Sequence, residues 1–213
     1  MSMIAVVILA AGESRRMGQP KALLPFPENF PSASQRAKTP KTFLEHLIEV
    51  TRHPRADILR VVVGAHAEEI REHVKLQNDV IVVNENWQKG QLSSLQAAIR
   101  SLPAGETEGM LVCLVDHPLI SAQLVSLLVE RFERDKNKIV IPTYRGKRGH
   151  PVIFPNALYA ELLAAREGAP ENSGARAVVH AHTTDVVEVP VDEEGVIINL
   201  NDPDTFRRFS VQS

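Results

Sequence analysis

Short, continuous apolar runs recur along the chain, and they are the feature that most limits its fold. They occupy residues 4–9, 58–63, 80–83, 110–115, 138–141, 151–154, 186–191 and 196–198. Continuous apolar runs are typical of strands that are buried on both faces. Segments with helical periodicity separate several of them, with apolar stripes in residues 43–51, 92–102 and 124–132. The alternation predicts an α/β fold in three layers (αβα), with helices covering both faces of a mostly parallel sheet.

The 213 residues are enough for one domain with a large core, and we predict a single domain over residues 1–213. Residues 1–143 would form its main part. After Tyr144 the apolar runs shorten and turn residues increase, so residues 144–213 would form a smaller part that returns to the sheet. The segment from Pro27 to Pro40 holds three prolines and two serines without periodicity. It is either a lid or binding loop, or a disordered surface insertion.

The composition excludes several classes of protein. A net charge of −2 gives no basic field for general nucleic-acid binding. The longest apolar run, residues 4–11, is too short to span a bilayer. The first residues lack the basic segment of a secretory signal. A single cysteine, Cys113, excludes an internal disulfide and fits a reducing compartment, so we expect a cytoplasmic protein without membrane partners.

The loop after the first apolar run has the character of a phosphate-binding loop. Small residues at the end of a strand let backbone N–H groups converge on an anion. The loop is neither a dinucleotide-binding nor a Walker loop, because five residues separate Gly12 from Gly18 and Gln19-Pro20 follows. Three cations, Arg15, Arg16 and Lys21, lie in or just after the loop, and this number suits a triphosphate better than a monophosphate.

The same loop resembles the signature of nucleotidyltransferases of the molybdenum cofactor type, which transfer CMP or GMP from the triphosphate to molybdopterin. The matching residues are Leu9-Ala10-Ala11-Gly12-x-Ser14-x-Arg16-Met17-Gly18-x-x-Lys21. The resemblance implies a nucleotide-diphospho-sugar transferase (Rossmann-like) fold, a nucleotide-binding part in residues 1–143 and an acceptor-side part in residues 144–213. We expect catalytic roles for Arg16 and Lys21, and nucleotide binding by Leu9, Ala10, Ala11, Gly12, Ser14, Arg15 and Gly18.

Two positions of this loop carry further information. Ser14 stands where the commonest family pattern has glycine, so the backbone there must accept a side chain. Ala11 stands where the guanylyl-transferring branch usually has a second glycine. The resemblance therefore favours CTP over GTP as the nucleotide.

A second motif follows the third apolar run. Ser93 or Ser94 is expected to N-cap the helix that begins there, and Gly90 permits close approach of a ligand. These residues alone equally describe a capped helix beside a core tryptophan. The family pattern Asn-x-x-Trp-x-x-Gly, matched from Asn84 to Gly90, favours nucleotide contact at Gly90, Ser93 and Ser94.

A carboxylate, Asp116, ends the fourth apolar run just before Pro118. Ligands of open α/β sheets bind at such strand ends, and a carboxylate there suits Mg²⁺, although it could also cap a turn. The family motif strand-Asp-x-Pro implies a metal-binding and catalytic Asp116. Near the end of the chain, alignment on Pro203 places Asn201 where the family has its second metal-binding aspartate. Asp202 is the alternative ligand.

Two further motifs resemble the family's acceptor site. They are Gly149-His150-Pro151 and Gly174-Ala175-Arg176, the second of which is expected to open a helix. His150 would bond an acceptor phosphate or a pterin edge, or would be structural. Arg176 would bind the acceptor phosphate or would cap the preceding loop.

The resemblance thus implies Mg²⁺-dependent transfer of CMP from CTP to the phosphate of molybdopterin, with release of pyrophosphate. Alternatives keep this chemistry with GTP, or with a sugar or polyol phosphate such as methylerythritol phosphate as acceptor. A different class is a nucleotide-binding accessory protein of the molybdenum cofactor without turnover. Expected partners are CTP or GTP, molybdopterin, and a molybdoenzyme that receives the product.

Overall fold

The computed structural model describes residues 3–27, 41–166 and 174–210. Apart from Pro27, the proline-containing loop lies outside the described residues, as does the segment that precedes Gly174.

Within the described residues, one eight-stranded sheet forms the centre of the fold. Its strands are β1 (Ile4–Ala10), β2 (Ile58–Val63), β3 (Ile81–Val83), β4 (Gly109–Leu114), β5 (Ile139–Tyr144), β6 (Lys147–Arg148), β7 (Val152–Pro155) and β8 (Val186–Pro190). The order is β3-β2-β1-β4-β7-β5-β6, and β8 pairs with β5. Pairs β1–β2, β1–β4, β2–β3 and β5–β8 are parallel. β7 and β6 pair antiparallel with their neighbours.

Helices pack on both faces of the sheet, as predicted. They are α1 (Phe43–Val50), α2 (Ala67–His73), α3 (Gln91–Ser101), α4 (Ala122–Arg134), α5 (Tyr159–Ala164), α6 (Gly174–Ala181) and α7 (Pro203–Ser210). Alternate residues of β1 enter two separate cores. Val6 and Ile8 lie in a core with residues of α1 and α4, whereas Val7 and Leu9 lie in a core with α3 and α6. Each buried aliphatic side chain contributes about 1.5–3 kcal/mol relative to exposure.

Two features of the second part of the chain depart from the simplest expectation. β7 inserts between β4 and β5, so strands from both predicted parts share one sheet. The apolar run 196–198 is not a strand. Its first residues belong to a 3₁₀ turn, Glu194–Ile197, in which the Val196 side chain is buried and its carbonyl accepts the His150 N–H at 2.8 Å. Three apolar residues without flanking periodicity are too few to distinguish a strand from a buried turn.

Within the described ranges, no helix combines the length and apolarity that crossing a membrane requires.

His46, on α1, is expected to make the fold sensitive to acid. Its ring is buried, stacks on Phe26 at 3.6 Å and bonds through Nε2 to the Ile120 carbonyl at 3.2 Å. Burial lowers the pKa of His46 to about 4. In the unfolded chain this histidine becomes protonated below about pH 6.5, whereas in the folded protein it becomes protonated only below about pH 4. The free energy of unfolding therefore falls as the pH falls through this window.

The variant His46→Gln keeps a side-chain donor but cannot take up a proton. We expect this variant to have a lower unfolding free energy than the native protein at about pH 6.5. The difference between the two proteins should decrease by up to about 3 kcal/mol as the pH is lowered to about pH 4. Urea unfolding across this range measures it. The exposed His73 provides the control, since His73→Gln should keep the native pH dependence. An equal dependence in both variants would contradict the assignment.

Candidate active site

The site lies at the carboxyl ends of β1 and β4. The chain adds β2 and β3 on one side of β1 and then crosses to add β4 on the other, and ligands of open α/β sheets bind in the crevice at such a switch point. A cavity of about 210 Å³ lies there. Its lining includes seven of the residues that the sequence assigned to the nucleotide, Leu9, Ala10, Ala11, Gly12, Ser14, Gly90 and Ser94, together with Lys21 and Asp116.

Ser14 organises the first loop. Its backbone adopts a left-handed conformation, with φ at 56°, a region that glycine enters most easily, which accounts for the glycine of the family pattern; the serine takes the same conformation. The Ser14 carbonyl accepts the Met17 N–H at 2.9 Å, and its hydroxyl accepts the Lys21 N–H at 3.0 Å. The serine side chain therefore closes the loop and fixes the backbone from which Lys21 projects.

Three segments that are distant in sequence meet at the Lys21 ammonium. Nζ donates to Asp116 Oδ2 at 3.1 Å and to Asn201 Oδ1 at 2.5 Å. The Asp116 carbonyl also accepts the Leu200 N–H at 2.8 Å, which joins the segment after β4 to the C-terminal segment. The predicted residues Lys21, Asp116 and Asn201 are thus brought together.

Asp202, the alternative to Asn201, points elsewhere. Its carboxylate accepts the Thr205 N–H at 2.9 Å, the Thr205 hydroxyl at 2.9 Å and the Asp204 N–H at 3.1 Å, and so caps α7. These hydrogen bonds, chiefly those from Thr205, lower the pKa of Asp202, with a smaller contribution from the charge of Arg16. Asp202 is committed to the helix terminus, whereas Asn201 faces Lys21.

The two loop arginines do not line the cavity. Arg15 is exposed and pairs with Glu13 at 2.7 Å, and Arg16 is also exposed. Gly18, at a φ of 69°, shapes the loop without lining the cavity. Of the three cations expected at the phosphates, Lys21 alone lines the cavity here.

Asn199 is a site residue that the sequence did not single out. Its Nδ2 lies 3.3 Å from Asp116 Oδ2 and 3.2 Å from His117 Nε2, so that one amide joins both side chains. A neutral His117 can accept this amide N–H at Nε2. Burial also lowers the pKa of His117, and the charge of Asp116 opposes this effect. The Asn199-x-Asn201 spacing was the available signal for this residue.

The middle motif positions the start of α3, but its N-cap differs from the prediction. The helix begins at Gln91 with Gly90 as N-cap, at a φ of 98° that favours glycine, so Ser93 and Ser94 lie in the first turn. Their hydroxyls accept hydrogen bonds from buried Asn84 Nδ2 at 2.8 and 3.0 Å. Asn84, which heads the motif, thus fixes the start of the helix, and Ser94 lines the cavity beside Lys21 and Asp116 while Ser93 does not.

A second cavity, of about 640 Å³, adjoins the first and shares Leu9, Gly90 and Gln91 with it. Three of the predicted acceptor residues, Gly149, His150 and Arg176, line it, whereas Pro151 does not. Gly174 does open α6, as expected, and so places Arg176 at the cavity.

Glycine at position 149 is required by close packing. A Cβ there would lie 2.4 Å from the Val196 carbonyl oxygen. The neighbouring His150 packs its ring against His117, with centroids 4.9 Å apart. Burial, with a smaller effect of His117, lowers the pKa of His150 to about 4, so the imidazole is neutral near neutral pH. His150 can therefore form a hydrogen bond with a ligand in this cavity, but it does not supply a positive charge.

A protein-family model, described as the MobA-like NTP transferase domain, matches residues 6–186. The chain belongs to this family. It is a nucleotidyltransferase, as the first loop and the Asp116 motif predicted.

Individual relatives carry different names. The chain is 25% identical over 207 residues to the molybdenum cofactor cytidylyltransferase of Escherichia coli, covering 97% of this chain and 95% of the relative. It is 29% identical over 170 residues to the purine catabolism protein PucB of Bacillus subtilis, covering 76% and 77%. The crystal structure of Rv0371c from Mycobacterium tuberculosis matches with a TM-score of 0.78 and 26% identity, covering 98% of both chains. The predicted fold class is confirmed.

Proposed function

We propose that this nucleotidyltransferase transfers CMP from CTP to the phosphate of molybdopterin and releases pyrophosphate. The observation that carries the proposal is the convergence of Lys21, Asp116 and Asn201 on one point. This point lies beside the cavity at the carboxyl ends of β1 and β4, which we call the nucleotide cavity. A cation and metal-binding oxygen atoms are the groups that stabilise charge on a phosphate undergoing substitution.

The proposed reaction needs no covalent bond between the substrates and the protein. An oxygen of the acceptor phosphate attacks the α-phosphorus of CTP, the new oxygen–phosphorus bond forms, and the bond to the β-phosphate oxygen breaks. The attacking oxygen is already anionic, so no general base is needed. Catalysis then consists of positioning two substrates and neutralising charge. The adjoining cavities, which share Leu9, Gly90 and Gln91, suit that task.

The nucleotide would lie along the first loop and the start of α3. Backbone N–H groups of the loop would face the phosphates, and the Lys21 ammonium would stabilise the α-phosphate. Arg15 and Arg16 are exposed on the same loop, and their long side chains would hold the β- and γ-phosphates.

The residues present fit a divalent cation such as Mg²⁺. Asp116 Oδ2 and Asn201 Oδ1 both contact the one positive charge of Lys21, so two oxygen atoms are already within reach of a single cationic centre. A carboxylate and an amide carbonyl, completed by phosphate oxygens, are a ligand set that Mg²⁺ accepts. Bound Mg²⁺ would neutralise charge on the phosphate oxygens. Asn199 would keep the Asp116 carboxylate oriented.

The preference for CTP rests on Ala11. This residue is 6% exposed and lines the nucleotide cavity, where its methyl group takes up space that a glycine would leave open. A narrower cavity suits a pyrimidine better than a purine. One methyl group is worth about 10–200-fold in discrimination by a hydrophobic pocket.

Ala11→Gly is therefore expected to raise the ratio of kcat/KM for GTP to that for CTP by about tenfold or more. Steady-state pyrophosphate release with each nucleotide measures this ratio. Ala175 lines the second, larger cavity but not the nucleotide cavity. Ala175→Gly is therefore the matched control and should leave the ratio unchanged. An unaltered ratio in Ala11→Gly would contradict the assigned base position.

The acceptor would lie in the larger cavity. Its lining includes the apolar sheet residues Val112 and Phe154, which suit a flat ring system, and Arg176, which suits the acceptor phosphate. Gly149 and His150 would also face the acceptor, with His150 as a neutral hydrogen-bonding group, whereas Pro151 lies outside the lining. This arrangement favours a ring-bearing phosphate over a small polyol phosphate.

A panel of acceptors with CTP tests this choice. We expect pyrophosphate release with molybdopterin, and none with methylerythritol phosphate or a sugar 1-phosphate at equal concentration. Mass spectrometry of the product should show the acceptor carrying one CMP. Turnover with a sugar or polyol phosphate alone would contradict the proposed acceptor while retaining the proposed chemistry.

A further inference from the structure

Lys21 occupies an unusual place for a residue expected to bind phosphate. Its ammonium lies between Asp116 and Asn201, and the Lys21 and Asp116 side chains are only 15% and 20% exposed. Of the described basic side chains, Lys21 is the one that hydrogen bonds to Asp116. The two proposed metal-binding oxygen atoms are therefore already paired with a positive charge.

Asp116 Oδ2 already accepts hydrogen bonds from Lys21 Nζ and Asn199 Nδ2, which use both of its lone pairs, so a divalent cation can bind this oxygen atom only after one of the two donors leaves. A metal that enters the site without nucleotide has to displace the ammonium from Asp116 Oδ2, and it remains a few ångströms from a positive charge in a partly buried place, where repulsion is stronger than in bulk water. The triphosphate offers Lys21 other oxygen atoms. Once the ammonium bonds to phosphate, Asp116 Oδ2 and Asn201 Oδ1 become available.

We propose that Lys21 holds the metal-binding oxygen atoms in the free enzyme and releases them when nucleotide binds. Nucleotide and divalent cation then bind with positive coupling, and the free enzyme binds the metal weakly. The inference rests on the proposed function, because it takes Asp116 and Asn201 as the metal ligands.

The surrounding contacts allow the side chain to move while the rest of the site stays in place. The Lys21 backbone N–H is fixed by Ser14 Oγ, so the flexible side chain alone has to swing towards the phosphates. Asn199 Nδ2 keeps its contact with Asp116 Oδ2, and the Leu200 N–H keeps its bond to the Asp116 carbonyl. The carboxylate therefore stays oriented after Lys21 leaves.

Binding of Mn²⁺ alone, without nucleotide, tests the inference. Electron paramagnetic resonance of free Mn²⁺ gives the Kd for the native protein and for Lys21→Met, which keeps the length of the side chain and removes its charge. We expect Lys21→Met to bind Mn²⁺ at least about tenfold more tightly, although the same variant is expected to lose turnover. Lys21→Ala should shift the Kd in the same direction.

Two controls fix the interpretation. Lys41 pairs with Glu49 and lines neither cavity, so Lys41→Met should keep the native Kd. Asp116→Asn should weaken Mn²⁺ binding. If it does, and Lys21→Met binds Mn²⁺ no more tightly than the native protein, the inference alone is overturned. If Asp116→Asn binds like the native protein, the metal site is wrong, and the proposed function loses its metal ligands as well.

Discussion

Lys21→Ala is expected to reduce kcat for nucleotidyl transfer by about 10²–10³-fold while the protein keeps its fold. The ammonium is the cation that lines the nucleotide cavity, and the exposed Arg15 and Arg16 do not line it. Its removal leaves the charge on the α-phosphate without its nearest positive partner. Pyrophosphate release at saturating CTP and acceptor measures the effect, and thermal unfolding checks the fold.

The matched control for this result is Lys41→Ala, which removes a lysine of the surface pair with Glu49. It should retain native turnover. A Lys21→Ala enzyme with kcat within a few-fold of the native value would place the catalytic cation elsewhere.

Asp116→Asn is expected to lower turnover by a similar factor of about 10²–10³. The substitution keeps the size of the side chain and removes the carboxylate that contacts Lys21. An amide binds Mg²⁺ more weakly than a carboxylate, so the concentration of Mg²⁺ needed for half-maximal activity should also rise. Pyrophosphate release across a Mg²⁺ titration measures both effects.

Asp202→Asn is the matched control for Asp116→Asn. Asp202 caps α7, and asparagine is an equally good N-cap, so this variant should keep both stability and activity. Loss of activity in Asp202→Asn, with normal activity in Asp116→Asn, would show that the metal ligands had been assigned to the wrong residues.

The long apolar runs predicted the sheet because length and continuity are strong local signals. β1, β2 and β4 all occupy such runs, and the alternation with helices indicated their parallel pairing. The antiparallel insertion of β7 was not predictable in this way, because strand order depends on contacts across the whole sheet. The 3₁₀ turn Glu194–Ile197 shows the same limit, since the burial of Val196 and the hydrogen bond from the His150 N–H to its carbonyl depend on tertiary packing.

The sequence predicted the site residues that belong to a local motif, but not those whose position depends on tertiary packing. Asp116 and Lys21 were identified from their segments, and the structure brings them within hydrogen-bonding distance. The choice between Asn201 and Asp202 as the metal ligand depends on where α7 begins, because the Asp202 carboxylate caps the start of that helix. Asn199 has no local signal beyond its spacing, since its contact with Asp116 joins segments 83 residues apart.

The most direct test of the central claim is pyrophosphate release from CTP, GTP, ATP and UTP in the presence of molybdopterin and Mg²⁺, with a metal-free sample alongside. We predict release with CTP, little or none with the other nucleotides, and none without metal. Tight binding of CTP without any release, at saturating molybdopterin and Mg²⁺, would contradict the account.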